Sequence, residues 1–147
     1  MSNVYEELKL DNQLCFPLYA ASRRLIAHYR PLLDEIGLTY TQYVAMMVFW
    51  ERESISVKEL GQRLFLDSGT LTPVLKSLES KGFITRHRSA EDERVLIASI
   101  TEEGSALAEK AREVPAGIAC CVKLEADEAA ELYRLLYKML DALEDCR

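Results

Sequence analysis

The stretch from Leu66 to Thr101, LDSGTLTPVLKSLESKGFITRHRSAEDERVLIASIT, decides the fold of this chain. It opens with a predicted helix, which Asp67 or Ser68 can cap and which Lys81 and Gly82 can end. Apolar residues recur in it at the spacing of one buried helical face: Leu71, Val74, Leu75 and Leu78. The stretch therefore predicts a short amphipathic helix with one face in the core.

The other face of this helix is small, polar and nearly free of acidic residues. A helix that lies in the major groove of DNA needs such a face, because bulk would hold it off the base edges and carboxylates would repel phosphates. The alternative is an ordinary solvated face, which would usually carry more Glu and Lys. Ser77 and Ser80 also lie on this face. The residues predicted to contact DNA are Ser68, Gly69, Thr70, Thr72, Pro73 and Lys76.

Two strand-like runs follow the helix, from Phe83 to Arg88 and from Arg94 to Ile100, joined by the polar turn at residues 89–93. A basic β-ribbon beside a reading helix suits a wing whose arginine enters the minor groove. Asp92 precedes Arg94 by two residues and can hold its guanidinium in a bidentate pair. The predicted DNA-binding residues of the ribbon are Arg86, Arg88, Asp92 and Arg94.

Asp92-Glu93-Arg94, the hydrophobic strand after it and the close at Ile100–Gly104 resemble the wing of the MarR family of winged-helix regulators. The resemblance implies a mainly α-helical fold with a small β-ribbon, in which N- and C-terminal helices form an intertwined dimer. Residues 39–101 would form the winged helix-turn-helix DNA-binding region, and residues 1–38 and 102–147 the helical dimerisation region, within one domain overall. A homodimer also suits two reading helices on palindromic half-sites of double-stranded operator DNA.

Length, composition and charge are compatible with this fold. A chain of 147 residues that is 49% hydrophobic can build one core. The net charge of −6 argues against DNA binding at first sight, but residues 66–100 hold five Lys/Arg and five Asp/Glu, and local charge decides phosphate affinity. Without a signal peptide or an apolar run of ~18 residues, we expect a soluble, cytoplasmic protein with no membrane partner.

The remaining sequence predicts helices. Leucine spacing predicts one long helix from Lys9 to Ile36, which Pro17 and Pro31 can kink, after a loose arm at residues 1–8. Capping residues predict the starts of three more helices at Thr39, Ser56 and Thr101, which end near Arg52, Leu64 and Glu113. A last helix is predicted over residues 126–144, after a bend at residues 114–117.

Further motifs resemble the organic hydroperoxide resistance regulators, a branch of the MarR family: residues 11–16 (DNQLCF), Tyr29, residues 40–43 (YTQY) and residues 66–73. The resemblance implies that Cys15 senses an organic hydroperoxide and that Tyr29 and Tyr40 donate hydrogen bonds to it. Fourteen residues separate Cys15 from Tyr29, or about 21 Å along a helix, so the two would meet only across a dimer axis. No Lys or Arg lies within a turn of Cys15 and the predicted helix start is distant, so the tyrosines would have to stabilise the thiolate.

A second thiol follows Val114-Pro115, as in the two-cysteine subgroup of these regulators. The resemblance implies that Cys120 resolves the oxidised sensor through an intersubunit disulfide, with Cys121, about 100° away on a helix, in reserve. Two alternatives stay open: Cys15 is a buried core thiol, or Cys120 and Cys121 are incidental core residues and a small thiol caps Cys15. Cys146 is expected to be incidental.

The sequence predicts neither a structural disulfide framework in a reducing compartment nor a structural zinc, since no CxxC pair exists. No metal or other cofactor is expected. The functional hypothesis is a redox-sensing repressor that releases its operator when Cys15 is oxidised. One alternative is a repressor gated by a small aromatic ligand in the dimer crevice. A thiol peroxidase would need an activating Arg and Thr near Cys15, so we predict no enzyme.

Overall fold

The computed structural model describes residues 5–146, so the first part of the predicted N-terminal arm lies outside the described residues. Two short 3-10 turns, Glu6–Leu8 and Leu10–Asn12, come first. The helices and strands that follow are α1 (Cys15–Asp34), α2 (Tyr40–Arg52), β1 (Ser54–Ser56), α3 (Val57–Leu64), α4 (Ser68–Ser80), β2 (Ile84–Arg88), β3 (Leu96–Ile100), α5 (Glu102–Ala111), α6 (Val114–Val122) and α7 (Ala126–Asp145).

The predicted helix caps are confirmed. The Thr39 hydroxyl accepts a hydrogen bond from the amide of Gln42 (3.3 Å), and the Gln42 side chain accepts one from the amide of Thr39 (3.1 Å), which completes a capping box at the start of α2. Ser56, Asp67 and Thr101 each accept a bond from the amide three residues on, at 3.1, 2.7 and 3.0 Å. These caps fix where α2, α3, α4 and α5 begin.

The wing is an antiparallel ribbon in which Ile84 pairs with Ile100 and Arg88 with Leu96. The sheet has a third strand that the sequence did not predict, because β1 is only three residues long. β1 pairs with β3, so the strand order is β1-β3-β2. The pairing with β1 thereby anchors the β2–β3 ribbon to the segment between α2 and α3.

The core of this region holds α4 in place. Leu71, Leu75 and Leu78 of α4 are at most 1% exposed and belong to one buried cluster with Phe49 and Leu60. Val74, predicted to be buried as well, is only partly covered. The indole nitrogen of Trp50 donates to the carbonyl of Gly104 (2.8 Å) and ties α2 to α5.

The first helix begins later than the sequence predicted. Its start lies at Cys15, not Lys9, and the chain before it forms 3-10 turns in which Leu10 is exposed. Pro17 falls in the first helical turn, where an amide has no intrahelical acceptor, so it is tolerated. α1 continues through Pro31 to Asp34, and Gly37 (φ +70°) lies in the turn that ends it.

The structure divides into a larger unit that ends at Val114 and a smaller one that begins at Pro115. The predicted bend at residues 114–117 is wrong: this segment is the first turn of α6, and the break falls at Arg112 and Glu113. α7 spans nearly the predicted residues and leaves several large apolar side chains exposed: Leu132, Tyr133, Leu135, Tyr137 and Leu143. Among the described residues, no helix is both long and apolar enough to span a membrane.

Candidate functional site

The amino-terminal part of α4 presents the predicted DNA-reading face. Ser68, Gly69, Thr70, Pro73 and Lys76 are exposed, and no carboxylate occurs from position 68 to position 77. The half-buried Thr72 donates its hydroxyl to the carbonyl of Ser68 (2.7 Å), which turns it toward its own helix. The face is as small and polar as a groove-reading helix requires; its contacts with bases stay a prediction.

Ser77 does not belong to this face, contrary to the sequence prediction. It is half-buried and accepts a hydrogen bond from the side-chain nitrogen of Gln42 (2.9 Å). Gln42 is only 7% exposed, and its side-chain oxygen also accepts from Lys81 (2.9 Å). Lys81 donates to the carbonyl of Gly37 as well (2.6 Å). Gln42 therefore fastens the carboxyl end of α4 to the start of α2.

At the tip of the wing, the predicted pair between Asp92 and Arg94 is confirmed. Nε of Arg94 lies 3.1 Å from Oδ1 of Asp92, and Nη2 lies 3.2 Å from Oδ2. These bonds hold the pKa of Asp92 below its usual range. The Arg94 side chain is nevertheless 90% exposed. The tip thus offers an oriented guanidinium with free access to a ligand, and Arg88 is exposed on the neighbouring strand.

Arg86, also predicted to bind DNA, has a partner within the fold. Its Nε and Nη2 donate to the two carboxylate oxygens of Glu79 at 3.3 and 3.2 Å, and its side chain is 20% exposed. The pair lowers the pKa of Glu79. Arg86 therefore joins β2 to α4, and its contact with DNA stays a prediction.

Three tyrosines from α1 and α2 form a cluster. The rings of Tyr29 and Tyr40 are 4.9 Å apart, and Tyr43 lies 6.0 and 6.4 Å from them. Burial raises the pKa of Tyr29, and the neighbouring Tyr40 raises it further. The hydroxyl of Tyr29 therefore keeps its proton at neutral pH and can donate a hydrogen bond. The structure brings the two predicted sensor tyrosines together and adds Tyr43, which is buried one helical turn after Tyr40.

Cys15 is the first residue of α1 and is exposed, so it is not a core thiol of its own chain. The prediction that the helix start lies far from Cys15 is wrong. The first turn of a helix carries amides without intrahelical acceptors and a partial positive charge, which favour an anion. α1 is unbroken from Cys15 to Tyr29, so about 21 Å separates these residues along the axis. One chain therefore does not bring Cys15 to its tyrosines.

Cys120 and Cys121 lie in α6 and are exposed. Their sulfurs are 3.9 Å apart, and both approach the carbonyl of Gly117, at 3.3 and 3.8 Å. The sequence predicted that Cys121 would point away from Cys120. Their sulfurs meet because helical side chains lean back over the preceding turn.

A family model described as "Transcriptional regulator SarA/Rot" matches residues 27–111. The organic hydroperoxide resistance transcriptional regulator of Bacillus subtilis (strain 168) is 48% identical over 143 residues, which cover 97% of both chains. The chain belongs to the organic hydroperoxide resistance regulators. It is thus a DNA-binding transcriptional regulator with the MarR-type winged helix, in a family whose members are typically dimers.

Solved structures of AbfR from Staphylococcus epidermidis are similar to this regulator. Reduced AbfR bound to DNA is 37% identical, with a TM-score of 0.78, and the match covers 95% of this chain and 98% of that one. Disulfide-formed AbfR is 33% identical, with a TM-score of 0.60, and the match covers 96% and 94%. The regulator thus shares its fold with a protein that has been seen both on DNA and with a disulfide.

Proposed function

We propose that this regulator is a homodimeric repressor that binds palindromic operator DNA when Cys15 is reduced and releases it when an organic hydroperoxide oxidises Cys15. It acts in the cytoplasm as a stoichiometric switch, not as an enzyme. One observation carries the proposal: Cys15 is exposed at the start of α1, whereas Tyr29 lies toward the other end of this unbroken helix, in contact with Tyr40 of α2. Each protomer thus has both halves of a sensor, held apart.

A second protomer can complete the sensor. If the two α1 helices run antiparallel across the dimer axis, Cys15 of one protomer meets Tyr29 and Tyr40 of the other. A protonated tyrosine hydroxyl that donates to the sulfur stabilises the thiolate, which is the nucleophile toward a peroxide. The exposed apolar side chains of α7 supply surface that a dimer can bury.

The chemistry balances without a cofactor. The Cys15 thiolate attacks the terminal oxygen of the hydroperoxide, and the O–O bond breaks. The leaving alkoxide takes up the proton that the Cys15 thiol released on ionisation and departs as the alcohol, so the sulfur becomes a sulfenic acid. The thiolate of Cys120 from the other protomer then attacks that sulfur. An S–S bond forms, the S–O bond breaks, and the oxygen leaves as water.

Oxidation weakens DNA binding through geometry. A disulfide requires Cα atoms about 4.4–6.8 Å apart, and the proposed switch is a movement of the helices that carry Cys15 and Cys120 to reach this separation. The two reading helices then change their separation, whereas the half-site spacing is fixed by the DNA helix. AbfR, which is similar to this chain, has been solved in its reduced form bound to DNA, and this supports assigning DNA binding to the reduced state.

Gating by a small aromatic ligand is not favoured. A cavity of about 290 Å³ does lie beside Tyr40, between α1 and the start of α2. This volume is at the lower limit for sites that take small molecules. The relative that matches nearly the whole chain is named for hydroperoxide resistance, so we propose no second function.

A titration of the protein against DNA from its own upstream region tests the proposal. Fluorescence anisotropy is measured at fixed salt, before and after equimolar cumene hydroperoxide, with non-reducing mass spectrometry of the same samples. We expect loss of binding together with a Cys15–Cys120 linked dimer, in wild type and in the control Cys146→Ser but not in Cys15→Ser. If the protein releases DNA while Cys15 carries a small thiol, that small thiol and not Cys120 attacks the sulfenic acid. Unchanged binding with a reduced Cys15 would refute the sensor.

A further inference from the structure

The neighbouring thiols of α6 form a pair with defined geometry. The sulfurs of Cys120 and Cys121 are 3.9 Å apart and share the carbonyl of Gly117 as an acceptor. Both side chains are exposed. The proposed redox mechanism uses one of these thiols and leaves the pairing itself without a role.

A direct bond between the two sulfurs is disfavoured. Adjacent Cα atoms across a trans peptide are about 3.8 Å apart, below the range of about 4.4–6.8 Å that disulfides occupy. No peptide bond among the described residues is cis. An S–S bond would also have to bring the sulfurs from 3.9 Å to about 2.0 Å inside a helix. The pair therefore persists as two thiols.

A single soft atom can bridge the same gap without strain. Two bonds of about 2.3 Å, the length of a zinc–thiolate bond, place the sulfurs about 3.8 Å apart at a tetrahedral angle. The observed separation of 3.9 Å is nearly the same, and a three-coordinate atom with a lone pair, whose bond angles are narrower, would draw the two sulfurs slightly closer. Among residues 5–146, no group of three or more His, Cys, Asp or Glu side chains is placed to hold a metal ion. The fitting ligand is therefore one that needs two protein sulfurs and brings its own remaining substituents.

We propose that Cys120 and Cys121 form a chelating dithiol site for trivalent organoarsenicals. With phenylarsine oxide, two As–S bonds form and the As–O bonds break. The oxygen leaves as water with the two thiol protons, so arsenic stays trivalent and no sulfur is oxidised. The phenyl group completes the coordination of arsenic.

Nearby groups support the reaction. The hydrogen bond between the two thiols is the main cause of a raised pKa at Cys121, and the positive charge of Lys123 acts in the opposite direction. Cys121 thus keeps a proton that the departing oxygen can take up. The exposure of α6 leaves room for a phenyl ring.

Occupancy of the site has a consequence that rests on the proposed function. Arsenic bound to Cys120 removes the thiol that would resolve the sulfenic acid of Cys15. The oxidised sensor would then stay uncrosslinked, open to a small thiol or to further oxidation. Thiol-binding toxic compounds would thus alter the response to hydroperoxide by binding to this dithiol.

Intact-mass analysis with phenylarsine oxide tests the site. The reduced protein is mixed with an equimolar amount, then washed with excess 2-mercaptoethanol and afterwards with 2,3-dimercaptopropanol. We expect one phenylarsenic per chain that survives the monothiol and is removed by the dithiol. The variants Cys120→Ser and Cys121→Ser should each lose the adduct roughly 100-fold faster, because the second bond is intramolecular. The control variants Cys15→Ser and Cys146→Ser should retain it.

Circular dichroism establishes that each variant is folded, which is expected because both thiols are exposed. Retention of the adduct by Cys121→Ser, or failure of the wild type to keep it, would overturn the proposal. A second arm adds cumene hydroperoxide to protein with and without arsenic. Absence of a Cys15–Cys120 crosslink in both samples would refute only the resolving role of Cys120. The proposed arsenic site would be unaffected, because retention of arsenic is measured separately.

Discussion

Replacement of Gln42 by methionine should destabilise the protein and loosen its reading helix. The buried Gln42 side chain makes three hydrogen bonds, to the amide of Thr39 (3.1 Å), to Lys81 (2.9 Å) and to Ser77 (2.9 Å). Each such bond contributes about 1 kcal/mol net, and methionine nearly preserves the volume, so no cavity adds to the loss. Lys81 keeps its bond to Gly37, which reduces the expected loss to about 2–3 kcal/mol.

Thermal unfolding followed by circular dichroism measures this loss. In a chain of this size, 1 kcal/mol corresponds to about 2–4 °C, so Tm should fall by about 4–12 °C. The protomer concentration must be fixed, because the stability of a dimer depends on it. Gln62→Met is the matched control: Gln62 is exposed on α3, and its replacement should change stability by less than about 0.5 kcal/mol.

A double-mutant cycle isolates the link to α4. Ser77→Ala alone should cost about 1 kcal/mol, and it should cost little when Gln42 is already methionine. A coupling energy near zero, or equal effects of Gln42→Met and Gln62→Met, would refute the claim that Gln42 fastens α4 to α2.

Three further substitutions test the site and its support. Arg94→Gln should weaken operator binding about tenfold at fixed salt with an unchanged Tm; full affinity would exclude Arg94 as a DNA contact. Glu79→Gln should lower Tm at neutral pH, because Arg86 lowers the pKa of Glu79 and the charged pair stabilises the fold above pH 4.5. That stabilisation is lost as the pH falls through the lowered pKa. A Tm difference that persists in acid would contradict this. Gly104→Ala should cost about 3 kcal/mol in urea unfolding, since its Cβ would lie 2.2 Å from the carbonyl oxygen of Phe83; an unchanged midpoint would disprove the close approach.

Local chemistry made much of the fold predictable. The caps at Thr39, Ser56, Asp67 and Thr101 depend on a side chain and an amide three residues apart, so the sequence alone locates them. The pair between Asp92 and Arg94 spans two residues and was predictable for the same reason. The regular spacing of the leucines likewise predicted which face of α4 is buried.

Features that depend on distant contacts escaped the sequence. Ser77 is turned inward by Gln42, 35 residues away, and Arg86 is occupied by Glu79 on another element. The start of α1 was misplaced because helical leucine spacing continues upstream of Cys15, although Leu10 and Leu14 are exposed and the chain there forms 3-10 turns. Periodicity reports which residues share a face, and only the packed structure shows whether that face is covered.

Mixed dimers test the composite sensor most directly. Cys15→Ser protomers are combined with protomers that carry both Tyr29→Phe and Tyr40→Phe, differential tags isolate the heterodimer, and the oxidation of Cys15 by cumene hydroperoxide is followed by mass spectrometry. The heterodimer has one complete site if the cysteine and the tyrosines come from different protomers, and none if they come from the same one. We expect its single Cys15 to react at the wild-type rate. A rate as slow as that of the tyrosine variant alone would contradict the account.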